Sequence, residues 1–289
     1  MSSKVNYGKY RVNTDGLVFR VDGYSQRSYN HNTQSWKDLG PSGLDVTLTE
    51  TGLYDETSGY YKFRKGASDN DFGAVSGENF TGLRSLGVLK DEESSFSLEA
   101  FFELKRDLST YPDDGAVLFG NTDHNKNGYS YGIVTMTGNG DGASTDHQIS
   151  GLKAFIASNK FESSTINSPW TGLEVVLSDI NDPSISGSSF RHAAMTYDGN
   201  NGRMVGYLDG IVKGTGTYTL PNVNASSNTL GGFHTGTVHG TYQQFYIGGN
   251  DSSGLNVNVG MVSCYNRALS SGEVLGNCKA VKHRYGGGY

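Results

Sequence analysis

Basic residues are too few in this chain for a nucleic-acid surface. The sequence has 23 Lys and Arg against 29 Asp and Glu, a formal net charge of −6, and an isoelectric point near 5.6. Because no run of Lys or Arg offsets this balance, the sequence argues against a nucleic-acid binder, which would carry a basic surface.

Long apolar runs are also missing. The longest, Ala116–Phe119 and Ile133–Met136, are far shorter than the roughly 20 residues of a membrane span.

Cysteine is scarce, and the start of the chain lacks an apolar segment. Cys264 and Cys278 are the 2 cysteines, too few for a disulfide scaffold. We expect two buried thiols, because free cysteine is commonly buried; a disulfide between them would need an oxidising compartment. The N-terminal residues carry no signal-peptide pattern. We therefore expect a protein made inside a cell, or one whose signal has been removed.

Aromatic residues and glycines, in contrast, are abundant, and the apolar residues alternate. With 41 Gly, 18 Tyr and 13 Phe, the composition favours short strands joined by tight turns. Ser95–Leu104 alternates apolar and polar residues, which predicts a half-buried strand with Glu99 and Glu103 on its solvated face. Asp209-Gly210 predicts a hairpin with a type I′ turn. Further predicted strands are Leu17–Val21, Tyr60–Phe63, Ala116–Phe119, Tyr131–Thr135, Lys153–Ala157, Leu173–Leu177, Arg191–Tyr197, Met204–Leu208, Ile211–Lys213, Phe245–Ile247 and Val257–Tyr265. This number of short strands predicts an antiparallel sandwich or barrel.

One helix is predicted near the C-terminus. Ser270 fits the N-cap of a capping box, with Glu273 at the third helical position. The apolar face repeats at helical spacing through Val274, Leu275, Cys278 and Val281. His283 and Arg284 are expected in the last turn, where a cation suits the helix dipole.

The segment Arg191–Val212, RHAAMTYDGNNGRMVGYLDGIV, resembles a known family. It is similar to the laminin-G-like, concanavalin-A-like jelly roll, in which a strand of the type W-H-h-A-h-T-Y-D-G leads into a hairpin ending Y-h-D-G. Phe190 stands where that family usually has Trp. Matching positions are His192, Thr196, Tyr197, Asp198, Gly199, Tyr207, Asp209 and Gly210. The resemblance implies an all-β sandwich of two antiparallel sheets with one short C-terminal helix.

The same resemblance sets the expected domain organisation. It extends over nearly the whole chain and weakens between about 120 and 190, where extra loops are expected. We expect an N-terminal arm over 1–14, a single laminin-G-like jelly-roll domain over 15–285, and a C-terminal tail over 286–289.

Two short segments near the C-terminus make the family resemblance more specific. Val262–Leu269 reads VSCYNRAL and is followed by Ser-x-x-Glu, and the segment 283–286 reads HRYG. With the opening segments Gly16–Phe19 and Trp36–Leu39, this pattern resembles virion proteins of tailed bacteriophages. The resemblance implies a non-enzymatic head, neck or tail component made in the host cytoplasm. Implied partners are other virion proteins, further copies of the chain in a homo-oligomer, and host-surface glycans.

Hydrolase motifs are missing or lack their context. Laminarinase-like glycosidases with this fold carry a Glu-x-Asp-x-x-Glu pattern, because retaining hydrolysis needs two carboxylates about 5 Å apart. No Glu in the chain is followed two residues later by Asp. Gly128–Gly132 matches G-x-S-x-G, but the segment after it is β-branched, whereas a serine-hydrolase elbow leads into a helix. The sequence therefore predicts no enzyme of these two kinds.

A candidate calcium loop lies at Asp123, Asn125 and Asn127. These residues match the first half of a D-x-N-x-N-G loop, in which alternating oxygen ligands wrap one hard cation. Val134 stands where an EF-hand needs Glu, so the loop is not an EF-hand. A second acidic loop is Ser68–Asp71. Both loops also fit solvated turns, because Asn, Asp and Gly favour turns by themselves.

Trp170 is the candidate sugar-binding residue, because an aromatic ring offers sugars a flat apolar face. Packing in the core or between subunits is the alternative role for this side chain. His234 and His239 lie in a Gly/Thr-rich loop with no zinc pattern around them, and His192 is expected to be a strand residue packed in the sandwich.

Three functions remain open from the sequence. The first is a phage structural protein with a lectin-like fold. The second is a calcium-dependent carbohydrate-binding lectin domain, and the third is a glycoside hydrolase with an atypical carboxylate pair. All three share one fold, and the fold does not decide between them.

Overall fold

The structure is a computed structural model that describes residues 11–30, 35–49, 53–64, 71–75, 95–105, 117–121, 129–137, 149–158, 171–178, 189–218, 245–249 and 255–285. The strands are β1 Leu17–Asp22, β2 Tyr29–Asn30, β3 Ser35–Trp36, β4 Val46–Leu48, β5 Tyr54–Asp55, β6 Tyr60–Phe63, β7 Gly73–Val75, β8 Phe96–Leu104, β9 Val117–Asn121, β10 Tyr129–Thr137, β11 Ile149–Ser158, β12 Thr171–Ser178, β13 Arg191–Asp198, β14 Arg203–Leu208, β15 Ile211–Thr217, β16 Phe245–Ile247 and β17 Val257–Tyr265. One helix, α1, spans Ser271–Lys282, and a short 3-10 helix spans His283–Tyr285.

The strands form two antiparallel sheets. The first sheet has the order β15-β14-β13-β8-β17-β6-β5, with β1 also pairing with β17, and the second has the order β12-β11-β10-β9-β16-β7-β4-β3-β2. Neighbours in each sheet are often far apart in the chain, as where β8 pairs with both β13 and β17. This two-sheet sandwich with a C-terminal helix confirms the predicted jelly-roll fold class.

The predicted strands all appear, most of them longer than the sequence pattern suggested. The hairpin between β14 and β15 turns at Asp209 and Gly210, whose φ values are 53° and 76°. Both residues therefore have the left-handed backbone of a type I′ turn, which confirms that prediction.

The main core lies between the two sheets. Alternate side chains of β8 point into it, and they meet aromatic side chains from the opposite sheet, as where Phe96 contacts Tyr131 with ring centroids 5.7 Å apart. The largest fully buried apolar side chains of this core include Phe19, Trp36, Tyr61, Phe63, Phe96, Phe102, Phe119, Tyr197 and Phe245. Burying this apolar area is the main driving force for bringing the sheets together.

Helix α1 covers the outer face of the first sheet. Its N-cap is Ser270, whose side chain accepts a hydrogen bond from the backbone N–H of Glu273. The side chain of Glu273 in turn accepts a hydrogen bond from the backbone N–H of Ser270, so the predicted capping box is confirmed. The helix ends at Lys282, so His283 and Arg284 belong to the following 3-10 turn and not to the last helical turn. The buried helix face is formed by Val274, Asn277, Cys278, Ala280 and Val281. Among the described residues, no helix is long and apolar enough to cross a membrane.

Both cysteines are buried and free. Cys264 lies on β17 in the main core, and Cys278 lies on α1 against the outer face of the first sheet. The prediction of two buried thiols is confirmed.

Candidate functional site

Most of the residues that the sequence nominated for binding lie outside the described part of the chain. These are Trp170 for sugar stacking and Asp123, Asn125 and Asn127 for calcium, together with the loop histidines His234 and His239. Their roles stay predictions. In the parts of the chain that the structure describes, no three His, Cys, Asp or Glu side chains converge in a way that could hold a metal ion.

The G-x-S-x-G match has the wrong context for a hydrolase elbow. Ser130 lies inside β10, which continues as a strand to Thr137 and pairs with β9 and β11 on its two sides. Since a nucleophile elbow needs a helix directly after the serine, the interpretation of this motif as a chance match is confirmed.

Glu99 and Glu103 are not on a solvated face, so that prediction is wrong. All nine residues of β8 are buried; Glu99 is 0% exposed and Glu103 is 4% exposed. The alternation itself is correct, since both side chains point away from the main core. Glu99 is buried because α1 covers this part of the outer face of the central strand.

Glu99 is held by groups from two other elements. Its Oε2 accepts a hydrogen bond of 2.9 Å from the amide of Asn277 on α1, and its Oε1 lies 3.6 Å from Nε2 of His192 on β13. His192 is also 0% exposed, so a carboxylate and an imidazole lie together in a water-poor environment. His192 is a packed strand residue, as predicted, but it lies beneath α1 and not between the sheets.

The protonation of His192 follows from these neighbours. Burial alone would lower the pKa of the imidazole, because a low dielectric disfavours its charged form. Cys278 and Glu99 oppose this, and together they raise the pKa of His192 to about 10. At neutral pH the His192 imidazole is therefore protonated, with its positive charge beside the Glu99 side chain.

Asn277 connects this cluster to the N-terminal part of the chain. Its amide also donates a hydrogen bond of 3.1 Å to the hydroxyl of Tyr265, and its carbonyl oxygen accepts a hydrogen bond of 2.7 Å from the backbone N–H of Asn13. The hydroxyl of Tyr265 donates to the backbone oxygen of Asn13 at 3.2 Å. Cys278, His192 and Glu99 have the composition of a cysteine hydrolase, but every one of them is enclosed. The arrangement connects α1 to the first sheet.

Glu103 has its own partners. Its Oε2 accepts a hydrogen bond of 2.8 Å from the amide of Asn258 on β17, and its Oε1 lies 2.6 Å from the ammonium group of Lys105. The two carboxylates of β8 thus have separate structural partners and do not form an acid–base pair.

A third polar cluster lies where β1 ends. Both guanidinium groups of Arg20 and Arg284 bind the same oxygen of Asp22, at 2.7 Å and 2.6 Å. Asp22 and the side chain of Arg284 are almost completely buried. This ion cluster ties the 3-10 turn after α1 to the end of β1.

The loop after this cluster presents an aromatic ring to solvent. Tyr24 is 51% exposed, and the guanidinium of Arg284 lies 6.0 Å from its ring centroid. Tyr285 packs edge-on against the same ring, with centroids 6.2 Å apart. We refer to Arg20, Asp22, Tyr24, Arg284 and Tyr285 as the Tyr24 corner.

Sequence reasoning missed both the buried polar layer and the Tyr24 corner. The first required knowing that a helix lies over the polar side of β8. Asn277 gave a faint signal, because it interrupts the apolar face of α1 between Val274 and Cys278. The second brings together residues about 260 positions apart, as in the contact between Asp22 and Arg284, and no local pattern predicts such a contact.

Comparison with known proteins supports the fold. No protein-family model matches the sequence, and no curated protein matches it. Among solved structures, the binding domain of botulinum neurotoxin DC in complex with SialylT matches with a TM-score of 0.59 at 13% identity, over 93% of this chain and 52% of that chain. The botulinum neurotoxin serotype D/C VPI 5993 binding domain matches with a TM-score of 0.56 at 13% identity, over 93% of this chain and 53% of that chain.

A further match is the binding domain of botulinum neurotoxin DC in complex with rat synaptotagmin II, with a TM-score of 0.56 at 13% identity, over 93% of this chain and 52% of that chain. The chain spans about half the length of the solved structures it matches. These structures are binding domains. At this level of identity the likeness is one of fold.

Proposed function

We propose that this protein is a non-enzymatic, lectin-like binding module of a tailed-phage particle. It is made in the host cytoplasm, assembles as a homo-oligomer with other virion proteins at the head, neck or tail, and contacts glycans on the host surface.

The observation that carries the proposal is the structural use of Glu99 and Glu103. A glycosidase on this fold needs two accessible carboxylates beside the scissile bond. Here Glu99 accepts a hydrogen bond from Asn277 and lies 3.6 Å from His192, while Glu103 is bound by Asn258 and Lys105, with both side chains buried. The central strand therefore contributes to folding and not to hydrolysis, which favours a binding role.

One further observation supports a binding role, and another supports the virion assignment. Solved structures with the same fold include a toxin binding domain in complex with SialylT and one in complex with rat synaptotagmin II. The virion setting is supported by the sequence, since the segments VSCYNRAL and HRYG resemble those of tailed-phage virion proteins.

The virion assignment is tested by peptide mass spectrometry on density-purified particles from the source. We expect the protein at a fixed copy number relative to the major capsid protein. Its absence from the particles would contradict the virion part of the proposal. Light scattering of the purified protein then measures the oligomeric state, which we expect to exceed one chain.

The binding assignment is tested separately on a glycan array, with and without a calcium chelator. We expect defined glycans to be retained, and a chelator-sensitive signal if Asp123, Asn125 and Asn127 hold calcium. A variant with all three residues changed to Ala would then bind as the chelated protein does. If no glycan binds under either condition, the lectin-like role is wrong.

A further inference from the structure

We infer that the protein binds ordered water in an enclosed site beneath α1, on the outer face of the first sheet. The site is formed by Arg20 on β1, Ser263 on β17, Glu99 on β8 and His192 on β13, and we call these four residues the buried water site. The sequence nominated none of them for ligand binding, and the site is independent of any glycan or virion role.

Each of the four side chains has a buried polar atom that makes no hydrogen bond within the described part of the chain. These atoms are Nε of Arg20, Oγ of Ser263, Oε1 of Glu99 and both ring nitrogens of His192. Arg20 is 9% exposed, and the other three residues are fully buried. Since nearly all buried polar atoms in proteins are paired with protein groups or with ordered water, a group of such atoms in one place points to bound water.

The strand register places three of these residues side by side. Arg20 lies opposite Ser263 where β1 pairs with β17, and Ser263 lies opposite Glu99 where β17 pairs with β8. The residues next to them along their strands belong to the main core, namely Phe19, Val21, Leu98, Ala100, Val262 and Cys264. Because side chains alternate along a strand, all three residues point to the outer face. Opposite side chains on one face have Cβ atoms about 5 Å apart, so one water molecule can contact two of them.

His192 completes the site from the next strand. Where β13 pairs with β8, Ala194 lies opposite Glu99, and His192 is two residues away on the same face. Nε2 of His192 lies 3.6 Å from Oε1 of Glu99, which is beyond hydrogen-bond distance. The neighbouring thiol of Cys278 is only a weak hydrogen-bonding group. The imidazole and Oε1 of Glu99 therefore both need a further partner.

The mixture of donors and acceptors identifies water as the ligand. Nε of Arg20 and the protonated imidazole of His192 can only donate, Oε1 of Glu99 can accept, and the hydroxyl of Ser263 can do both. A bare metal cation cannot accept hydrogen bonds from the first two groups, and a simple anion cannot donate one to Glu99. Water does both, and a buried water molecule typically makes about three such bonds.

Helix α1 and the turn after it close the site. Asn277 on α1 donates 2.9 Å to Oε2 of Glu99. Arg284 in the 3-10 turn binds Asp22, which also binds Arg20. These contacts tie the C-terminal residues to the sheet on both sides of Ser263. Water held in this layer can exchange with solvent only when the layer opens, so it should be bound for much longer than water on the surface.

Two measurements test the site. A high-resolution crystal structure locates ordered water directly, and oxygen-17 magnetic relaxation dispersion counts the water molecules that are held for a long time. Ser263→Val replaces the hydroxyl by an apolar branch that occupies the space of a bound water.

Ser97→Val is the matched control for this variant. Ser97 is a buried serine on the same face of β8, but its Oγ donates 2.8 Å to the backbone oxygen of Arg267 and accepts 2.9 Å from the backbone N–H of Leu269. Its hydroxyl is therefore paired with protein groups. Near-ultraviolet circular dichroism establishes that each variant is folded.

We expect the wild-type crystal structure to show a water about 2.6–3.2 Å from Oγ of Ser263, with a second hydrogen bond to Arg20, Glu99 or His192. Ser263→Val should contain about one long-lived water fewer than the wild type. Ser97→Val should contain the same number as the wild type, whatever its effect on stability.

Three other results would each refute the site. Direct bonds from Ser263 and Arg20 to protein groups in the crystal structure, with no water between them, would show that no water binds here. A water that is visible in the crystal but exchanges too fast for the dispersion measurement would show that the site is open to solvent. An unchanged count in a folded Ser263→Val protein would place the long-lived water elsewhere. The wild-type measurements decide the first two points even if neither variant folds.

Discussion

Nε2 of His192 lies 3.6 Å from Oε1 of Glu99, and neither side chain has exposed surface. The pair connects β13 and β8, and Asn277 extends it to α1. Because removing one member of such a pair leaves an uncompensated buried charge, replacing either residue should destabilise the folded protein.

The stability of the protein should decrease at alkaline pH because of His192. Its pKa is raised to about 10 in the folded state, against 6.5 for an ordinary histidine. A raised pKa stabilises the fold fully below about pH 6.5, and this contribution is lost as the pH rises through about 10. The excess stability of the wild type over His192→Gln, measured by urea unfolding, should therefore shrink by about 1.4 kcal/mol per pH unit across this range.

A control for this experiment is His283→Gln, since His283 is exposed at the end of α1. Both variants are measured over the same pH range, so that a loss specific to His192 is distinguished from the general effect of alkaline pH. A constant difference for His192→Gln over the same range would show that the imidazole is neutral in the folded protein.

Asn277 should be the most sensitive position on α1. Asn277→Ala removes two donated hydrogen bonds and one accepted bond, and leaves Glu99 and the backbone N–H of Asn13 without these partners. We expect the free energy of unfolding to fall by about 2–4 kcal/mol. Lys282→Ala on the same helix should change it by less than about 0.5 kcal/mol. Comparable losses in the two variants would mean that the polar layer does not hold the helix.

The elements of this fold could be predicted from local patterns, and the layers above them could not. Alternation predicted β8 correctly, and the Asp209-Gly210 pair predicted the hairpin between β14 and β15. Ser270 and Glu273 marked the start of α1. The same alternation gave the wrong environment for Glu99, because period two distinguishes the two faces of a strand but does not show what covers the second one.

The candidate sites also divide into those that local patterns suggest and those that only packing creates. Trp170 and the loop of Asp123 were nominated because their residue types suit sugars and calcium, and they lie outside the described residues. The Tyr24 corner has no motif, since Arg284 reaches Asp22 from the other end of the chain. Its ring and its charges become neighbours only through the packing of α1 on the first sheet.

The capping box should produce a distinct acid dependence. Arg267 and Ser270 hold the pKa of Glu273 at about 2, below its usual 4.5. A lowered pKa stabilises the fold above about pH 4.5, and the contribution is lost as the pH falls through about 2. The difference in the free energy of unfolding between the wild type and Glu273→Gln should therefore shrink over this range. Ser270→Ala should cost about 1 kcal/mol at neutral pH. A difference for Glu273→Gln that is constant from pH 5 to 2 would contradict this account.

Two glycines on neighbouring strands are required both by their backbone conformation and by the close approach of the strands. Gly120 on β9 and Gly132 on β10 face each other with φ values of 149° and 152°, and a Cβ on Gly132 would lie 2.6 Å from the backbone oxygen of Phe119. Gly132→Ala should therefore destabilise the protein by more than about 3 kcal/mol, because both the backbone conformation and the close approach forbid a side chain.

Gly272→Ala is the matched control for this change. A Cβ at Gly272 would meet nothing within 4 Å, and the residue lies in α1. Since alanine restricts the unfolded chain and favours a helix, this variant should be stabilised by up to about 1 kcal/mol. Thermal unfolding monitored by circular dichroism measures both changes. Opposite signs would show that β9 and β10 depend on a glycine pair to approach each other, whereas a mild effect of Gly132→Ala would mean that the two strands can move apart without cost.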